Sequence, residues 1–233
     1  LQAPLPVLLY IHGGGFVMGD LHTHDMVCRT LCHHAGMLVV AVDYRLAPEH
    51  PFPAAPDDTE AALRWLLANA ATLGGDPERI AVAGDSAGAQ LALVAARRVQ
   101  SCVVRALGLI YPVAQHPDET SPSYQENDGK FLTMGVMRWF TASYLGGQTP
   151  DHPDVALLKS DLAVLPATWV ATMGHDPLRD EGHALALRAE VAGVAVTHQH
   201  YPSAIHACIH FSAVSPIGSQ ILADLAQWLQ KQV

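Results

Sequence analysis

At 233 residues, half of them hydrophobic and 15% charged, the chain has the composition of one packed domain, or at most two small ones, and not of a disordered tail. Its formal net charge of −9, without a lysine or arginine run, leaves nothing to neutralise phosphates, so no nucleic-acid partner is expected. No apolar stretch reaches the roughly 18 residues of a membrane span, so no membrane partner is expected either. The four cysteines Cys28, Cys32, Cys102 and Cys208 are too few for a disulfide scaffold and point to a reducing, cytoplasmic setting. The chain opens on Leu1 and enters a strand-like run by Val7, so an upstream segment, with any targeting signal it carried, is expected to be missing.

In chain order, short apolar runs alternate with helical patterns. Strands are expected at residues 7–11, 38–42, 80–83, 106–111, 168–171 and 194–198, which are rich in Val, Ile and Leu with little polar alternation. That is the signature of a parallel sheet covered on both faces. Helices are expected at 23–34, 56–70, 87–99, 181–192 and 217–231; the second carries Asp57 or Asp58 as its N-cap and Gly74-Gly75 beyond its end. The alternation predicts an α/β doubly wound sheet. Residues 114–165 break the rhythm with a strandless stretch and one helix at 133–144. An insertion this long inside a compact fold is usually a lid or a binding wall. The expected organisation is therefore a core of residues 1–113 and 166–233 and a cap of residues 114–165.

Two motifs carry chemistry. Gly84-Asp85-Ser86-Ala87-Gly88 falls where the strand at 80–83 ends and a helix begins, the strand-turn-helix setting of a nucleophile elbow. The turn presents the Ser86 hydroxyl at its tip, and side chains at Gly84 or Gly88 would collide with the neighbouring strand and helix. His12-Gly13-Gly14-Gly15 follows the first strand. Its glycines let the loop pass close to a reacting centre with N–H groups turned inward, which is how an oxyanion hole is built.

A serine nucleophile needs a base, and the base an orienting acid. Asp176 follows the strand at 168–171 and His206 follows the strand ending near Tyr201, so the order Ser86, Asp176, His206 is available. Spacing alone does not choose among the nearby histidines. His198 and His200 are expected in or at the end of a strand, and His210 at the start of the last helix or preceding it.

The chain resembles the hormone-sensitive-lipase-like esterases, the bacterial family IV carboxylesterases, over essentially its whole length. The matching stretches are H-G-G-G-F at 12–16, D-Y-R-L-A-P-E-H-P-F-P-A at 43–54, G-D-S-A-G at 84–88 and D-P-L-R-D-E-G at 176–182. Residues 201–206 match the family's Y-x-G-x-x-H with Ser203 in place of the glycine, and Ala207-Cys208 replaces the usual Gly-Phe. Ala89 stands where a second glycine usually follows the elbow. The resemblance implies an α/β-hydrolase fold with a partial helical cap, and Ser86 as nucleophile, Asp176 as acid and His206 as base. It implies oxyanion donors at the amides of Gly13, Gly14 and Ala87, supported by His12, Gly15, Gly84, Asp85 and Gly88. It also implies hydrolysis of a small, short-acyl carboxylic ester without a cofactor. In the family a longer segment precedes the H-G-G-G loop. Without it, the strand at 38–42 is expected at an exposed sheet edge, and a homodimer is left open. Two other readings remain open: a non-catalytic binder like the plant gibberellin receptors, and an amidase or carbamate hydrolase using the same triad.

Other features have plainer readings. Cys28, Cys32 and His33, with His22, His24 and His34 nearby, imitate a zinc site, but with Val27 and Leu31 they also make an apolar helix face, and no metal is expected. Cys208 reads as a small wall residue, and residues 45–53 as scaffolding. Asp180 and Glu181 read as carboxylates placed at a helix start to complement its dipole.

Overall fold

The computed structural model describes residues 4–115, 117 and 121–233. Among the described residues, six strands, β1 (Leu5–Ile11), β2 (Leu38–Val42), β3 (Gly75–Asp85), β4 (Val104–Ile110), β5 (Ala167–His175) and β6 (Val196–Ile205), form one sheet in the order β2-β1-β3-β4-β5-β6. Every neighbouring pair is parallel. The expected strands are present at the expected places, several of them longer, because the hydrogen-bond ladder runs on past the purely apolar residues. Among the described residues the α-helices are α1 (Asp25–Ala35), α2 (Ala54–Asn69), α3 (Ala87–Val99), α4 (Pro122–Asn127), α5 (Met134–Leu145), α6 (Arg179–Val191) and α7 (Pro216–Leu229).

Strand alternation divides the core into two layers. Val7, Leu9, Ile11, Val82 and Leu107 pack with α2, α3 and α6 on one face, while Leu8, Tyr10, Ala83 and Ala106 pack with α1 and α7 on the other. Both faces of the sheet are covered, as parallel sheets require. Helix α3 is the most enclosed, with Ala87 to Ala96 all buried. Its run of small residues lets it lie close on the sheet directly behind Ser86. The strand β2, half-buried apart from exposed Ala41, lies at one edge of the sheet and β6 at the other.

The helix expected at 56–70 begins two residues earlier, and neither Asp57 nor Asp58 caps it. Asp58 instead accepts from the Arg45 backbone amide at 2.9 Å and pairs with the Arg45 guanidinium at 2.7 Å, tying residues 45–53 to the helix. A tertiary ion pair has taken the carboxylate that local chemistry assigned to the cap. Residues 114–165 contribute α4 and α5, the latter with the Thr133 hydroxyl accepting from Val136 N. Residues 116 and 118–120 of that expected cap lie outside the described residues.

Candidate active site

The site collects at the carboxyl ends of four parallel strands, where the loops of an open α/β sheet converge. Ser86 sits between β3 and α3 at φ 55° and ψ −121°, a conformation that costs an L-residue about 1–3 kcal/mol and persists only when its surroundings enforce it. They do so sterically. A Cβ on Gly84 would lie 2.4 Å from the Gly88 carbonyl oxygen, and one on Gly88 would lie 2.1 Å from the Ile11 carbonyl oxygen. The Ser86 amide donates to Ile110 O at 2.9 Å, holding the turn against β4.

Asp176 leaves the end of β5 and His206 the end of β6. His206 Nδ1 lies 2.7 Å from Asp176 Oδ2, and His206 Nε2 lies 3.0 Å from Ser86 Oγ. A carboxylate only accepts, so Nδ1 carries the proton, and Nε2 presents its lone pair to the serine hydroxyl. Asp176 is fully buried and accepts a second bond from Leu178 N at 2.9 Å, while Asn127 Nδ2 donates to its backbone carbonyl. The candidate histidines thus separate. His198 and His200 lie on β6 against Thr172 Oγ1, at 2.9 and 3.0 Å. His210 precedes the last helix, on the 3₁₀ turn Cys208–Phe211, facing Asp85 at 3.8 Å.

The glycine loop lies beside the residue that precedes Ser86. Gly13 N donates to Asp85 Oδ1 at 3.0 Å, so this amide is committed to the protein itself. Gly14 and Gly15, both at positive φ, line the cavity, and their amides have no acceptor among the described residues. A Cβ at Gly14 would lie 2.0 Å from Met18 O. His12 closes the loop from behind, with Nδ1 donating to Gly13 O at 2.8 Å and its ring stacked on Tyr44.

Asp85 is the hub that spacing did not reveal. It is buried and accepts from Tyr10 OH at 2.9 Å as well as from Gly13. Burial by itself would raise its carboxyl, but the imidazoles of His210 and His24 outweigh that and hold it well below the usual carboxylate range. Only the pairing of β1 with β3, Ile11 opposite Gly84, brings these residues together.

Glu181 lies in the first turn of α6 as expected, and it is buried as well. Behind Asp176, it accepts from Ala114 N at 2.7 Å and from Tyr124 OH, and burial pushes its carboxyl up to about 8. Its neighbour Asp180 accepts from Ser123 N at 2.9 Å. On α1 only Val27, Leu31 and Ala35 are buried, and Cys32 is exposed, so the apolar face is narrower than expected. Cys208 is buried with its thiol pushed up to about 12, chiefly by desolvation.

Ser86, His206, Gly14 and Gly15 open into a cavity of about 400 Å³ walled by Met18, Phe131, Leu132, Val136, Phe140 and Leu178. Phe140 comes from α5 and covers Gly15, where a Cβ would lie 2.3 Å from its ring. The site is thus an apolar chamber with a hydrogen-bonded serine at its base.

The chain belongs to the alpha/beta hydrolase fold family, which it matches over residues 8–210. It is 43% identical over 226 residues to the carboxylesterase NlhH of Mycobacterium tuberculosis, covering 93% of this chain and 70% of that protein. It is 34% identical to the ethyl acetate hydrolase of Pseudomonas putida, covering 97% of this chain and 73% of that one. Among solved structures, an esterase of Pyrobaculum calidifontis superposes with a TM-score of 0.93 at 39% identity, over 98% of this chain and 77% of that chain. The thermophilic carboxylesterase EstE1, from a metagenomic library, gives 0.93 at 38% identity over 99% and 81%. No described helix is long and apolar enough to cross a membrane.

Proposed function

We propose that this protein hydrolyses carboxylic esters through an acyl-enzyme on Ser86. The observation that carries the proposal is the continuous chain Asp176–His206–Ser86, with links of 2.7 and 3.0 Å, at the base of an apolar cavity. His206 Nε2 takes the serine proton as Oγ attacks the ester carbonyl and returns it to the leaving alcohol; water then repeats the cycle on the acyl-enzyme. Asp176 fixes the tautomer and stabilises the imidazolium. The developing oxyanion is received by the amides of Gly14 and Gly15 and by that of Ala87, the first residue of α3, where the helix dipole adds to the field.

Hydrolysis of esters agrees with the names of the relatives, a carboxylesterase and an ethyl acetate hydrolase. The cavity is small and apolar, which favours a small ester with a short acyl chain, and α5 of the cap segment 114–165 forms one of its walls. No cofactor enters this mechanism. The four cysteines, none of them in a disulfide, support a reducing, cytoplasmic setting. A receptor-like binder has no use for a base 3.0 Å from the serine.

The test is a series of p-nitrophenyl esters from acetate to dodecanoate, together with a serine-directed phosphonate whose adduct is located by mass spectrometry. Turnover that declines beyond short acyl chains, with the phosphonate on Ser86, is the expected result. Absence of both turnover and labelling would overturn the proposal.

A further inference from the structure

On the cavity wall beside the triad, His24, Asp85 and His210 bring two imidazole nitrogens and a carboxylate oxygen within 4.8 Å of one another. His24 Nε2 is 3.2 Å from Asp85 Oδ1, and His210 Nε2 is 3.8 Å from Asp85 Oδ2. The three come from different parts of the chain: the loop before α1, the end of β3 and the 3₁₀ turn after His206. The proposed ester hydrolysis uses neither imidazole.

His24 Nδ1 lies 3.1 Å from Thr23 Oγ1, whose hydroxyl also lies 2.9 Å from Asp20 O. That contact orients the ring so that Nε2, buried in the wall, faces the Asp85 carboxylate at 3.2 Å. A polar contact on one ring nitrogen that leaves the other aimed into a site is also how metal-binding histidines are oriented.

We propose that His24, Asp85 and His210 form a binding site for a zinc-class divalent transition metal ion, and that its occupancy reversibly inhibits turnover at Ser86. Two imidazoles and one carboxylate are ligands that such ions accept, and three protein ligands leave a fourth position open towards the cavity. Bonds of roughly 2.0–2.1 Å in a tetrahedron place ligand atoms about 3.3 Å apart, so the widest pair closes by more than an ångström. His210, partly exposed on a short turn, is the ligand able to move. That movement pulls on the segment that begins at His206, and the ion draws on the carboxylate that anchors Gly13. Metal binding and the catalytic geometry are thus coupled through two covalent neighbours, Asp85 to Ser86 and the turn from His206 to His210.

Isothermal titration of the metal-stripped full chain with Zn²⁺ tests the site without any assay of turnover. One ion per chain is expected, with affinity at least tenfold weaker in both His24→Gln and His210→Gln. Ser86→Ala should bind zinc as the unaltered chain does. So should His198→Gln, which disrupts the exposed cluster of His183, His198 and His200. Co²⁺ should give the intense visible bands of a four-coordinate site, lost in His210→Gln. In the ester assay Zn²⁺ should inhibit and a chelator should restore the rate. Absence of saturable binding, binding that survives His210→Gln, or binding abolished by His198→Gln or His206→Gln would overturn the proposal. Because titration reads the ion directly, its failure is distinguishable from failure of the ester-hydrolase reading.

Discussion

The backbone amide of Gly13 donates to the side chain of Asp85 across 3.0 Å, joining the loop after β1 to the residue that precedes Ser86. The glycine loop and the Gly84–Gly88 turn are therefore tied together, and the amides left to face the cavity are those of Gly14 and Gly15. Asp85→Ala removes the anchor and leaves Tyr10 OH buried without its acceptor, a loss of about 1–3 kcal/mol of stability. Its kcat should fall roughly 10- to 100-fold with little change in KM, since a displaced oxyanion donor acts on the transition state. Asp85→Asn keeps an acceptor for Gly13 and should recover most of the rate. Steady-state kinetics and thermal melts of both variants check this. Equal losses in the two would argue that the negative charge, and not the hydrogen bond to Gly13, is what matters.

Ser86→Ala should lower kcat by roughly four to six orders of magnitude, because triad members act as a unit. Far-ultraviolet circular dichroism should be unchanged. A variant keeping more than about a hundredth of the activity would place the nucleophile elsewhere.

Glu181 gives stability a definite pH dependence. Its carboxyl is raised from 4.5 to about 8, so the folded protein keeps a proton that the unfolded chain releases. The stabilisation is complete below the unfolded value and is lost as pH rises through about 8. Glu181→Gln stays neutral at every pH. The Tm of this variant relative to the unaltered chain should therefore climb between pH 6 and pH 9. A difference that is flat with pH would show Glu181 to be ionised in the folded state.

Ala207, immediately after His206, lies at φ 60° and ψ 14°, a left-handed conformation that costs an L-residue about 1–2 kcal/mol and glycine very little. Glycine also adds freedom to the unfolded chain, which returns roughly 0.4–1 kcal/mol of that gain. Ala207→Gly should therefore stabilise by about 0.5–1 kcal/mol, raising Tm by roughly 1–4 °C. Calorimetry decides it. A lowered Tm would mean that the Ala207 methyl contributes packing worth more than the strain.

The sequence alone determined the alternating architecture and the place of every strand in the chain, and it singled out Ser86, Asp176 and His206 as candidates. Hydrophobic runs and glycine spacing are local, and they act wherever the chain goes. It could also place Asp57, Asp58, Asp180 and Glu181 near helix starts, but not their partners. A carboxylate's partner depends on which elements meet, and Arg45, Ser123, Ala114 and Tyr124 arrive from elsewhere in the chain. For the same reason the partner of the Gly13 amide was not legible in the glycine loop. Three glycines in a row are alike in sequence, and only the parallel pairing of β1 with β3 puts Asp85 opposite the first of them. The tertiary structure likewise decided that His210 faces Asp85 and His24. Chain separations of 61 and 125 residues hide that the three side chains meet on one cavity wall.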